Sequence, residues 1–182
     1  IAMAFRGGGR SVNSVTGLAA ELLLLNELVK SRCYSDGEIS GAWRGYSRSC
    51  RDFVLGDVGV EVKATTQGTS RHHIQGWYQV EPGVPEGDGE FESRLFLLSV
   101  GIEWLPIGVE GRTVEGILKG LRAELPDLVW EDLVQSACRY CGENFVFDAN
   151  GVNSEEALRR PFQVGFVRMY DLTDDRIDLL RS

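Results

Sequence analysis

The sequence predicts a mixed α/β domain, a central sheet of mixed strand direction flanked by α-helices. Three observations predict it. A leucine-rich stretch after Thr16 has helical periodicity, two short β-rich runs flank a Gly-Asp turn, and residues 95–104 (LFLLSVGIEW) form a near-continuous apolar run. In order, Ser14 or Thr16 caps a helix that runs to about Lys30. Residues 37–46 read as a loop or short strand, with Trp43 packed on the sheet. Residues 53–55 and 60–65 form an antiparallel pair joined by Gly56-Asp57-Val58-Gly59, each run rich in β-branched or aromatic residues. Residues 74–80 begin a helix that the Pro/Gly-rich loop at 82–89 ends. The run at 95–104 is a central strand covered on both faces. Helices follow at 114–125 and 128–141, divided by Pro126-Asp127, and 162–170 is the last strand. There is no internal repeat and no low-complexity tract.

Composition frames what such a domain can do. A chain of 182 residues can build one domain with a sizeable core. No apolar run approaches the ~20 residues of a membrane-spanning helix, and no signal peptide is visible. Residues 1–12, opening Ile-Ala-Met-Ala-Phe-Arg before three glycines, read as a flexible leader or a tag remnant, and 13–182 as one domain cut from a longer protein. The four cysteines make no disulfide framework. Cys138 and Cys141 form a lone C-x-x-C without the second pair a zinc site needs, so all four read as reduced thiols of a cytoplasmic protein. The net charge of −8 opposes phosphate binding by the chain as a whole, but Arg44, Arg48, Arg51, Lys63 and Arg71 gather in one segment. The acids concentrate elsewhere, at residues 81–92 and 171–178.

The chemistry-bearing residues lie on the predicted hairpin. Alternation along a strand puts Glu61 and Lys63 on one face and Val60, Val62 and Ala64 on the other. The apolar face must be buried, so the charged pair faces a cleft or solvent. With Asp52 ending the preceding strand, two carboxylates and an ammonium can hold a hard divalent cation and activate water. A Glu-x-Lys alone is equally a solvated strand face with an incidental ion pair. Glu21 shifts the balance: on a helical wheel Gly17, Leu18, Leu24, Leu25 and Leu28 surround it, whereas Asn26, Glu27 and Lys30 lie opposite. A carboxylate inside an apolar stripe needs a partner, either a metal site or a structural cation. His72 and His73 lack the spacing of metal ligands and sit beside Arg71, where a phosphate-contacting or structural role fits. Thr65, Thr66, Thr69 and Ser70 offer hydroxyls to a phosphate backbone or form a plain polar loop.

The order of these motifs resembles the PD-(D/E)XK nuclease superfamily. The match runs from the helix at Gly17-Leu18-Ala19-Ala20-Glu21, through Trp43, Asp52-Phe53 and Glu61-Val62-Lys63-Ala64-Thr65, to His72-x-Ile74 and Gln79. It is similar in particular to motif proteins found beside bacterial restriction and phage-defence genes. The resemblance implies a restriction-endonuclease-like core and a metal-dependent DNA endonuclease. It implies Mg²⁺, with Mn²⁺ as substitute, held by Asp52, Glu61 and the Val62 carbonyl and completed by Glu21. Lys63 would assist the attacking water and Gln79 would lie near the metal and the lysine. Arg44, Arg48, Arg51, Arg71, His72 and His73 would meet the nucleic acid. Partners implied are DNA, further subunits of a defence or restriction complex, and a second copy of the chain, since cutting both strands needs two sites. The alternative is a DNA-binding or scaffolding subunit that keeps the nuclease fold without activity.

Overall fold

The computed structural model describes residues 12–45, 50–83, 92–141 and 156–176. Helix α1 (Val12–Ser31) opens before the expected cap, so Ser14 and Thr16 lie inside it. Thr16 is buried and its Oγ1 accepts the indole N–H of Trp104 at 3.1 Å, which occupies the hydroxyl otherwise expected to cap. Helix α2 (Asp36–Ala42) takes the place of the loop or strand expected over residues 37–42, while Trp43 forms a β-bridge to Phe53 and residues 44–45 are not helical. The cause of the helix is local: the Ser35 hydroxyl accepts the Glu38 N–H while the Glu38 carboxylate takes the Ser35 N–H at 2.7 Å, a capping box. The hairpin is β1 (Phe53–Leu55) and β2 (Val58–Thr65). Its turn is two residues, Gly56-Asp57, with Gly56 at φ 63°, so Val58 and Gly59 belong to the strand.

The expected helix at 74–80 is only a 3₁₀ turn, Trp77–Gln79. Strand β3 (Arg94–Trp104) lies between β2 and β4 (Phe162–Asp171) in the order β1-β2-β3-β4, and so is central as expected. The β2–β3 pair is parallel and the outer two pairs are antiparallel, which makes the sheet mixed. Helices α3 (Val114–Glu124) and α4 (Asp127–Cys141) match the two expected, with Thr113 capping α3 through Gly116 N–H; a short α5 (Glu156–Arg159) precedes β4. Of the expected leader at 1–12, only Val12 is described. No described helix is long and apolar enough to cross a membrane.

One face of the sheet, Val60, Val62, Leu98 and Val100, packs under α1 through Leu18, Leu22 and Leu25, with Leu118 and Leu121 of α3 in the same core. Each leucine buried there contributes about 1.5–3 kcal/mol. The parallel pair needs a crossover, supplied by residues 66–93, and among its described residues the only helical element is the turn Trp77–Gln79. Ser99, which points away from α1, meets Ser70 and His72 of this segment. The crossover therefore covers the second face, where Glu61 and Lys63 point.

Arg51 pins the crossover down. Its side chain is fully buried, and all five N–H groups are used. Nε donates to Glu92 Oε2 at 2.7 Å, one terminal nitrogen to the carbonyls of Cys50 and Tyr78, and the other to the Glu81 carbonyl and Glu92 Oε1. The pair lies on Gly59, where a Cβ would come within 2.0 Å of Glu92 Oε2. This corrects the expectation that Arg51 meets nucleic acid: a guanidinium with no exposed surface and no spare donor is a structural clamp. Arg51→Met would leave Glu92 buried without its cation and lower unfolding stability by about 3–5 kcal/mol. In urea titrations, Arg51→Met combined with Glu92→Leu should recover much of that loss.

Candidate functional site

The hairpin register builds the site. Phe53 pairs with Val60, so one further step along the ladder puts Asp52 opposite Glu61. Asp52 is gripped on both edges: its N–H donates to the Val60 carbonyl at 3.2 Å, and its carbonyl accepts the Arg44 N–H at 2.7 Å. The side chain folds onto β2, where Oδ2 accepts the Val62 N–H at 2.7 Å. Glu61 is 3% exposed, and its Oε1 lies 2.5 Å from Lys63 Nζ. The charged pair thus sits beneath the crossover, not on an open strand face. Lys63 keeps 19% of its side chain exposed and forms the outer edge of the site.

The two acids are held under electrostatic stress. Burial raises the Asp52 pKa, against the opposing pull of the Val62 N–H and the charges of Lys63 and Arg51. Glu61 is pushed up to about 7, by burial first and the Asp52 charge second, with Lys63 and then Arg51 opposing. Neither Asp52 Oδ1 nor Glu61 Oε2 meets a hydrogen-bond donor among the described residues. Two desolvated carboxylates facing each other with an unbonded oxygen apiece fit a hard divalent cation, which prefers oxygen ligands and would offset both penalties. Among the described residues, no three His, Cys, Asp or Glu side chains converge into a ready cation cage.

The remaining expected site residues divide. Glu21 is buried, as the helical wheel requires, and one of its partners is the indole of Trp43, which donates from Nε1 at 2.7 Å. Gly45 lies against the same carboxylate, where a Cβ would stand 2.1 Å from Oε2. Glu21 therefore does not join Asp52 and Glu61 in a three-acid cluster. Gln79, on its short turn, accepts the Gln75 N–H at 3.0 Å and does not bond Lys63. His72 does reach the site: its Nε2 is 2.7 Å from Ser99 Oγ, and its pKa is lowered by burial and then by the charge of Lys63. His73, Arg44 and Arg71 are exposed, with Arg44 Nε bonded to the Gly41 carbonyl. Arg48 lies outside the described residues.

Ser99 was missed by motif reasoning, although a serine within LFLLSVGIEW is its own signal. A hydroxyl in a buried strand needs a partner, and this fully buried one has two, Ser70 and His72. The Glu61 shift also fixes a pH dependence. Its folded pKa of about 7 exceeds the ordinary value of 4.5, so the folded state binds more protons between those limits. Stability without added metal should therefore fall as pH rises through that window and level off above it. Melting temperatures measured in EDTA across the window should show this decline, and Glu61→Gln should flatten it.

Comparison with known proteins agrees with this geometry. The family model described as "Putative PD-(D/E)XK family member, (DUF4420)" matches residues 3–133, which takes in the hairpin, the crossover and β3. No curated protein and no solved structure matches the chain. The four-stranded mixed sheet with its flanking helices has the restriction-endonuclease-like arrangement. The chain belongs to this PD-(D/E)XK family.

Proposed function

We propose that the protein is a metal-dependent phosphodiesterase that hydrolyses the DNA backbone, an endonuclease of restriction or phage defence. One observation carries the reading: half-buried Asp52 and buried Glu61 lie opposite each other on the hairpin, each with an oxygen that meets no donor among the described residues, while Lys63 bridges from Glu61 to the surface. Asp52, Glu61 and the Val62 carbonyl would hold Mg²⁺ or Mn²⁺. The cation, when bound, supplies Lewis acidity that polarises the scissile phosphate and acidifies water.

The chain's own residues do the rest. The Val62 N–H fixes Asp52 Oδ2 and leaves Oδ1 as the donor atom. Glu61 must give up its proton to act as a ligand, and its elevated pKa means that it does so near neutrality. Lys63, freed in part from Glu61, would orient water or meet the charge that builds on the phosphoryl oxygens. Arg51, buried behind both acids, keeps a fixed positive charge near them without touching substrate. Glu21 and Gln79 act in this reading as supports of the Trp43 and Gln75 segments. The setting proposed is cytoplasmic, with further subunits or a second copy of the chain supplying basic surface.

A second reading has its own support. The net charge of −8 and the diversion of Glu21 to Trp43 suit a DNA-binding or scaffolding subunit that keeps the fold without cutting. Cleavage of supercoiled plasmid in Mg²⁺ or Mn²⁺ separates the two. Metal-dependent nicking or linearisation is expected, blocked by EDTA. Asp52→Asn and Lys63→Ala should each lose roughly 10²–10³-fold in rate while melting near the wild-type temperature. A folded protein that leaves the plasmid intact, or variants that lose activity only by unfolding, would sink the endonuclease reading.

A further inference from the structure

The face that carries Glu61 and Lys63 does not stop at β2. Parallel pairing sets Lys63 beside Ser99, and antiparallel pairing sets Ser99 beside Arg168. The neighbouring rows are Glu61–Leu97–Tyr170 and Thr65–Gly101–Phe166. Strand β4 therefore presents Phe166, Arg168 and Tyr170 on the active face, at alternate positions.

These three side chains are held in place. Gly101 has no Cβ, so the Phe166 ring lies on its backbone; a Cβ there would be 2.5 Å from the ring. The Arg168 guanidinium carbon stands 4.7 Å from the centre of that ring. Ser70 and Arg168 lower the pKa of the nearby Tyr170 hydroxyl. Ser70 reaches Ser99 at 2.6 Å, and Ser99 reaches His72. A line of polar side chains thus runs by strand register from Lys63 through Ser99 to Arg168.

The line contains no carboxylate. The acid nearest on β4, Asp171, belongs to the opposite face by alternation and is paired with Arg94. Arg168 has no acidic partner among the described residues and is exposed. An exposed arginine is ordinary; one ordered by a ring beneath it and a phenol beside it is prepared to receive an anion. Two strand spacings, about 10 Å, separate β2 from β4, a distance on the scale of neighbouring nucleotides.

We propose that Arg168, stacked on Phe166, and Tyr170 on the same face form a subsite for a backbone phosphate of the nucleic acid near the one placed at Lys63. The proposal rests on the nucleic-acid reading above, and it involves a strand that lies beyond the family match at residues 3–133. The half-buried Phe166 and Tyr170 rings would give the adjoining sugar or base a surface to lie against.

The test is fluorescence anisotropy of a labelled DNA oligonucleotide, in Ca²⁺ to suppress cutting, over a salt series. Arg168→Gln should weaken binding roughly 5–10-fold and lower the log–log salt slope by about 1, one phosphate contact. Tyr170→Phe should weaken binding a few-fold and leave the slope unchanged, because only a neutral hydrogen bond is lost. Arg32→Gln, at the far end of α1, where Arg32 pairs with Glu124, serves as the surface control and should bind as wild type. If Arg168→Gln keeps the wild-type affinity and slope while Lys63→Ala loses both, the subsite is wrong and the reading of the active site stands. If wild type neither binds the oligonucleotide nor cuts plasmid, both are overturned.

Discussion

The buried guanidinium of Arg51 is the constraint on which the rest of the candidate site depends. Taking a charge out of water costs several kcal/mol, offset only when the partner geometry is complete. Here it is complete, with a two-point grip on Glu92 and three backbone carbonyls. The carbonyls come from the start of β1 and from both ends of the segment 78–81, so one side chain sets where the crossover lies. Gly59 follows from the same contact, because no larger residue leaves room for the pair. The described part of the crossover has a single helical turn, Trp77–Gln79, and so little of the repetitive hydrogen bonding that would otherwise fix its path. Arg51 supplies a point of convergence in its place.

From this position the electrostatics of the site follow. The crossover removes water from above Glu61 and Asp52, and burial is the largest influence on both carboxyl groups. A salt bridge to Lys63 eases only Glu61 directly, and the second acid remains opposite it. Burial and the Asp52 charge both favour a proton on Glu61. In the reading proposed above, a divalent cation would offset the charge of both carboxylates. The arrangement is therefore poorly suited to be a structural ion pair, which would place one cation against one acid and satisfy the remaining lone pairs. It is better suited to wait for a ligand of charge +2.

Much of this was legible because it is local. Period-two alternation placed Glu61 and Lys63 on one face, and a Gly-Asp turn announced the hairpin, so Asp52 had to come near Glu61. The helical wheel put Glu21 inside the core, and it is there. What the wheel could not show is which donor meets it, since Trp43 is 22 positions away and reaches it only once α2 has folded. The capping box that makes α2 was present as Ser35 and Glu38, but two interior glycines in a short segment obscured it. Arg51 was misread for the same kind of reason. Its partners lie up to 41 residues away, and a basic residue beside an acidic motif looks the same in sequence whether it faces substrate or the interior. The wheel also set Asn26 on the open side, yet it is buried, because α3 packs against α1 there as well.

Internal ion pairs leave the net charge of −8 unchanged, since each uses one cation for one acid, but they decide where charge is cancelled locally. Glu92 serves Arg51, Asp171 serves Arg94, and Asp174 serves Arg176. For Asp171 and Asp174 the same contacts hold the carboxyl groups below the usual range, with Thr173 the larger influence at Asp171. These pairs contribute little field beyond the nearest contacts, since opposite charges a bond length apart cancel at distances longer than the ~8 Å screening length of physiological salt. The cations of the active face are spent differently. Lys63 is held against an acid that a bound metal would take over, and Arg168 stands on an aromatic ring, not on a carboxylate. In the proposed reading, a phosphate approaching that face would meet Arg168, which pairs with no carboxylate among the described residues.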